Sequence, residues 1–375
     1  MMRKAFGVLA ALVMIAVGTF GTAAQETVDQ TLFLTFVPNI QFAPFYVAIE
    51  KGYFAEAGIN LTIEHGDEPI GVDLIASGSR QFGIISGEQV ITARANGRPV
   101  VYVYQWFHQF PVAIVATENS GIESIADLAG RRVGLPGRFG ASYSGLIATL
   151  IANGMTESDL SIQEIGFNAT EVICIGGVEA AAVYVNNEPL QIQNRIDAGD
   201  CGSVTGIRVL PVSDYAAVVS NGLVTNEQTM AENPELVSAM VAAIDQAVRD
   251  VLTNPAEAYL LSAPYVEGLP LSDDFRAWLE AASASASESA DGSALDGVVY
   301  DQALRESLAE VTDRDAALQF EILLNTAALW ANDPLGYTDP AAWETTAQTL
   351  ITMGFLDEMP DLSGAYTNDF LPQLP

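Results

Sequence analysis

From Thr31 to Asp214, short runs of apolar and β-branched residues alternate with stretches whose apolar positions recur every three or four residues. The first pattern predicts strands and the second helices. Strands are expected over Leu32 to Val37, Leu61 to Glu64, Phe82 to Ile85, Val100 to Tyr104, Val112 to Thr117, Arg132 to Gly134, Ile162 to Ile165, Ala180 to Tyr184 and Gly206 to Pro211. Between them, Ser142 to Ala152 reads as a helix that places Leu146, Ile147, Leu150 and Ile151 on one face and stops at Gly154. Such alternation predicts an α/β fold with mostly parallel strands. Beyond Asp214 one more apolar run, Ala216 to Val219, precedes a helix-rich tail. Asn233 and Pro234 start a helix in which Leu236, Met240, Ile244 and Val248 share a face, and further helices are expected over Ala316 to Trp330 and Ala341 to Met353. Between Ala281 and Gly297 the chain is rich in Ser, Ala, Asp and Glu and reads as an exposed loop or a frayed helix.

The N-terminus changes the compartment. Arg3 and Lys4 precede an apolar stretch from Ala5 to Phe20, and Thr22-Ala23-Ala24 follows before the first acid, Glu26. This order predicts a signal peptide over residues 1–24 and a soluble periplasmic or extracellular protein; with no cysteine near the cleavage point, a lipid anchor is not expected. The remaining length suits two domains. A formal charge of -32 argues against a nucleic-acid partner, which needs clustered Lys and Arg, and reads as a solubility property. In an oxidising compartment Cys174 and Cys201 can form a disulfide, although two buried thiols would fit the sequence as well. Two α/β halves joined by chain crossings would leave a ligand cleft between them, at the C-terminal ends of the strands.

Particular segments resemble a known family. Pro38-Asn39-Ile40-Gln41-Phe42-Ala43-Pro44-Phe45-Tyr46-Val47-Ala48, then Glu50-Lys51-Gly52-Tyr53-Phe54, Ile75-Ala76-Ser77-Gly78, Asp127-Leu128-Ala129-Gly130-Arg131-Arg132-Val133-Gly134 and Gly176-Gly177-Val178-Glu179-Ala180 occur in an order similar to that of periplasmic binding proteins serving importers of thiamine-type pyrimidines, riboflavin and alkanesulfonates. The resemblance extends to about Asp214. It implies a type II periplasmic binding protein fold, with lobe one formed by residues 25–120 and 216–375 and lobe two by residues 121–215. It also implies a monomer without a cofactor, whose partners are an inner-membrane permease and its ATPase.

Candidate ligand contacts follow from the chemistry of loops at strand ends. Asn39 and Gln41 offer amide hydrogen bonds beside the aromatic faces of Phe42 and Tyr46. Glu88 opens a helix after a short strand, where it could accept from a ring N–H or simply favour the helix dipole. Trp106, beside Gln105 and His108, suits a stacking wall. The glycine-rich turn before Ser142 and Tyr143 offers free amides to a carbonyl or anionic oxygen, or is an ordinary turn capped by Ser142. Tyr184, Asn186, Asn187 and Glu188 concentrate polar groups before Pro189 and could read the edge of a heterocycle or cap the next helix.

No catalytic or metal site is expected. Gly140-Ala141-Ser142-Tyr143-Ser144 lacks the closing glycine of a nucleophile elbow, and only His65 and His108 could serve as bases. No phosphate loop, dinucleotide fingerprint or zinc spacing occurs. A related branch of the family synthesises a pyrimidine with a cysteine-rich motif, which is absent here. Aromatic loops with few cations favour a neutral heterocycle over a sulfonate; riboflavin is the first expectation and an aminopyrimidine thiamine precursor the second.

Overall fold

A computed structural model of the chain describes residues 27–289 and 302–372. The expected signal peptide lies outside the described residues. Of the Ser/Ala-rich acidic stretch, the first part continues the helix Asp273–Ser289 and the remainder lies outside them.

Two five-stranded sheets organise the molecule. In lobe one, β1 (Val28–Thr35), β2 (Ile59–Gly66), β3 (Phe82–Ser86), β4 (Val100–Gln105) and β10 (Asn221–Asn226) run in the order β2-β1-β3-β10-β4. In lobe two, β5 (Val112–Thr117), β6 (Arg132–Leu135), β7 (Ser161–Glu164), β8 (Ala180–Tyr184) and β9 (Ile207–Pro211) run β7-β6-β8-β5-β9. The sheets are mixed: β10 is antiparallel to β3 and β4, and β5 to β8 and β9. Every residue of β3, β4, β5 and β10 is buried, because helices cover both faces of these central positions.

The chain crosses between lobes twice, over Trp106 to Pro111 and over Val212 to Ser220. The first crossing corrects the expected boundary near residue 120. The run Val112–Thr117 was readable as a strand, but a fully apolar run carries no mark of which sheet it joins. It is the penultimate strand of sheet two, pairing with β8 and β9. The second crossing contains the apolar run Ala216 to Val219, and the strand proper begins after it at Asn221. Asn and Gly are poor strand formers. Gly222 is needed there nonetheless, since the Tyr102 ring fills the space a Cβ would take.

The tail completes lobe one. The helix Pro234–Thr253 buries Val237, Met240, Val241, Ile244, Val248 and Val251 in the larger core, and the helix Arg314–Trp330 buries Phe320, Leu323, Leu324 and Trp330. Bridges from Gly336 to Gln105 and from Tyr366 to Tyr102 cover the edge of β4. In lobe two, Cys174 and Cys201 form a disulfide within a cluster that includes Val115, Ile173 and Val178. No helix among the described residues is long and apolar enough to cross a membrane.

Candidate functional site

The ends of β1, β4, β6 and β8 and the start of β10 face one another across a cleft of about 850 Å³, its mouth included. Its base is aromatic: Trp106 stacks on Phe42 at 5.7 Å and on Trp330 at 5.7 Å, with Phe107 packed edge-on at 4.5 Å. The Nε1–H of Trp106 is buried and has no hydrogen-bond acceptor among the described residues.

At the mouth, Phe36 from lobe one meets Phe167 from lobe two edge-to-face at 4.7 Å. Phe36 has φ 86°, a left-handed conformation that costs a bulky residue about 1–3 kcal/mol. That strain turns the chain at the end of β1 and aims the ring into the cleft lining.

The polar lining is acidic. Glu68 accepts from the Ser86 amide and hydroxyl, each at 2.6 Å, and its other oxygen lies against Gly140 of the other lobe, near the Ala141 amide. The same Ser86 hydroxyl lies 2.6 Å from Glu88 Oε1. A hydroxyl brings only one proton, so a second must be present between the two carboxyls. Burial raises the pKa of both carboxyls; the Ser86 donors oppose that rise at Glu68, whereas Glu88 is pushed up to about 8 by burial and then by the Glu68 charge, which assigns it the extra proton. Glu188 accepts from the Tyr184 amide at 3.0 Å and is pushed up to about 7 by burial. The Tyr184 hydroxyl donates to Asn221 at 3.1 Å, and burial and then the three nearby carboxyls hold it well above its ordinary pKa.

Among the described residues that line the cleft there is no Lys, Arg or His. Arg138 is turned away, paired with Glu157 at 2.8 Å and with Glu164. His65 packs beneath Phe42 at 5.4 Å, and burial lowers its pKa; burial pushes His108 down to about 4. Among the described residues no group of His, Cys, Asp or Glu is arranged to hold a metal ion.

Of the twelve ligand contacts expected from sequence, Gln41, Phe42, Trp106, Ser142, Tyr184 and Glu188 line the cleft. The others lie behind or beside it. Asn39 caps the turn Ile40–Phe42 by accepting from the Gln41 amide, and Tyr46 is buried against Tyr265 at 4.7 Å. Glu88 sits behind Ser86. Tyr143 points from the far side of its helix to Glu157 and Phe355. Asn187 accepts from Gln191, and Asn186 binds Gln41 and Thr326. Sequence reasoning missed Phe36, Glu68, Phe139, Phe167 and Asn221, all in the lining. Phe36 stands one residue past a strand and was open to prediction. The place of Glu68 depends on a lobe contact that no local pattern reveals.

Comparison with known proteins identifies the family and the fold. Residues 39–258 match the family described as NMT1/THI5 like. Riboflavin-binding protein RibY of Chloroflexus aurantiacus is 32% identical over 358 residues, 93% of this chain and 88% of that protein. A 4-amino-5-hydroxymethyl-2-methylpyrimidine phosphate synthase of Legionella pneumophila is 26% identical over 62% of this chain and 72% of its own. Among solved structures, the alkanesulfonate-binding protein SsuA of Xanthomonas axonopodis pv. citri superposes with a TM-score of 0.53 at 16% identity, covering 80% of this chain and 98% of that one. The shared fold is that of periplasmic binding proteins.

Proposed function

The chain belongs to the NMT1/THI5-like family, and from that premise we propose that it is the extracytoplasmic binding component of an ABC importer, that its ligand is riboflavin, and that it catalyses no reaction. The observation that carries the ligand is the pairing of a stacked aromatic base, Phe42, Trp106 and Trp330, with a lining free of cations. An isoalloxazine ring is planar and neutral, with an imide N–H and hydroxyl-bearing side chain. Aromatic faces hold the ring, and Glu68, Glu188 and Asn221 supply acceptors for its donors. A sulfonate would need donors and positive charge around three oxygens, and would here meet carboxylates instead. The similarity to RibY supports the same choice.

The two crossings, Trp106 to Pro111 and Val212 to Ser220, serve as hinges. Closure joins Gln41 to Asn186 and Phe36 to Phe167 over the ligand. A permease with its ATPase would recognise that closed form.

The test is competitive: purified protein is incubated with riboflavin and an aminopyrimidine thiamine precursor together, separated from free ligand and denatured. Recovery of one equivalent of intact riboflavin supports the proposal. Recovery of the pyrimidine transfers the function to thiamine salvage, and recovery of an altered molecule shows an enzyme.

A further inference from the structure

Glu68 begins the helix Glu68–Ala76 in lobe one, yet its carboxylate lies against Gly140 of lobe two. The residue is only 6% exposed. It accepts from the Ser86 amide and hydroxyl on its own side, and its second oxygen lies against Gly140, near the Ala141 amide, across the cleft. Ala141 lies in the first turn of the helix Gly140–Ala152, whose free amides and positive dipole end attract an anion. Lobe two is shaped for this visitor: Gly140 has φ 65°, and a Cβ on it would overlap Glu68 Oε2. The place where an anionic ligand group would be held is therefore filled by the chain's own carboxylate. Glu188, the other acid in the lining, adds no compensating positive charge.

We propose that Glu68 is a specificity-determining residue, which occupies the anion-binding end of the Gly140–Ala152 helix and thereby excludes ligands bearing a phosphate or sulfonate. A neutral ligand leaves the contacts of Glu68 with Ser86 and Gly140 intact. An anionic one must either displace a buried carboxylate or bind beside it, and like charges in a desolvated site oppose each other strongly. The choice of flavin probes rests on the function proposed above; the role of Glu68 does not.

The experiment has two arms. In the first, riboflavin and riboflavin 5′-phosphate are titrated into wild type, Glu68→Gln and Glu68→Ala, with flavin emission as the readout. Wild type is expected to prefer riboflavin by about 100-fold, and both variants to narrow that ratio by about tenfold or more, the size of one to two units of like-charge interaction. In the second, inorganic sulfate is titrated while thermal unfolding is followed in wild type, Glu68→Ala and Glu68→Ser. Sulfate is expected to stabilise the two truncated variants in a saturable way and to leave wild type unmoved. An unchanged flavin ratio, or equal sulfate responses in wild type and the truncated variants, overturns the proposal. Failure of wild type to bind either flavin overturns the flavin reading alone, and the sulfate arm then decides for Glu68.

Discussion

Asn186 of lobe two donates to Gln41 Oε1 of lobe one at 2.6 Å, with its second amide hydrogen directed to Thr326 Oγ1 at 2.7 Å. Both hydrogens of one NH₂ group are thus spent on lobe one, from a side chain that is almost wholly buried. Asn186→Ala should therefore weaken riboflavin binding about tenfold by destabilising the closed form, in line with about 1–2 kcal/mol for buried hydrogen bonds left unmade. Calorimetric titration of the variant checks this, together with a melting temperature expected to move by only a few degrees.

The Phe36 and Phe167 pair separates ligand binding from folding. Phe167 is 37% exposed, so Phe167→Ala should leave unliganded stability within about 0.5 kcal/mol of wild type. Loss of one aromatic face should weaken flavin binding by about 1–2 kcal/mol. Denaturant unfolding and flavin titration of the same preparation measure the two quantities.

Much of this was legible in the sequence, and the failures have physical causes. Alternating apolar runs located the strands because burial imposes that pattern. They could not assign Val112–Thr117 to a sheet, because a strand buried on both faces reads the same in either lobe. Asn221–Asn226 was hidden by its composition and is made a strand by its neighbours β3 and β4. Within the site, Trp106 and Phe42 were found because aromatics at strand ends invite stacking. Tyr46 looked equivalent but lies on the core side of the helix Ala43–Glu50. Trp330 and Thr326 come from the tail, and Glu68 lies against Gly140 of the other lobe, so their roles exist only once distant parts of the chain meet.

The carboxyl pair beside Ser86 predicts a pH dependence. Glu88 is raised from 4.5 to about 8 and Glu188 to about 7. Folded protein then holds protons that the unfolded chain has released, so these groups' contribution to stability falls as pH rises from about 4.5 to about 8 and levels off above. Glu68, Tyr102 and Tyr184 are the titratable groups that face Glu88. Glu88→Gln, whose amide can donate to Ser86 as the protonated acid does, should flatten that slope and raise stability at pH 8 by about 1–3 kcal/mol. Melting curves of both proteins from pH 5 to pH 9 provide the check.

Gly140→Ala should be destabilising on two counts, a positive φ and overlap with the Glu68 carboxylate. The expected cost is about 1–3 kcal/mol. Pairing it with Glu68→Ala should recover part of that loss, because the overlap disappears while the φ strain remains; a double-mutant cycle on melting temperature measures the recovery.

The most direct test of the central claim is titration of the purified protein with riboflavin while flavin and tryptophan emission are recorded together. Binding beside Trp106 predicts that both signals quench in parallel and break at one equivalent per chain, with the flavin signal restored when the protein is unfolded. Flavin emission unaffected by excess protein would contradict the account.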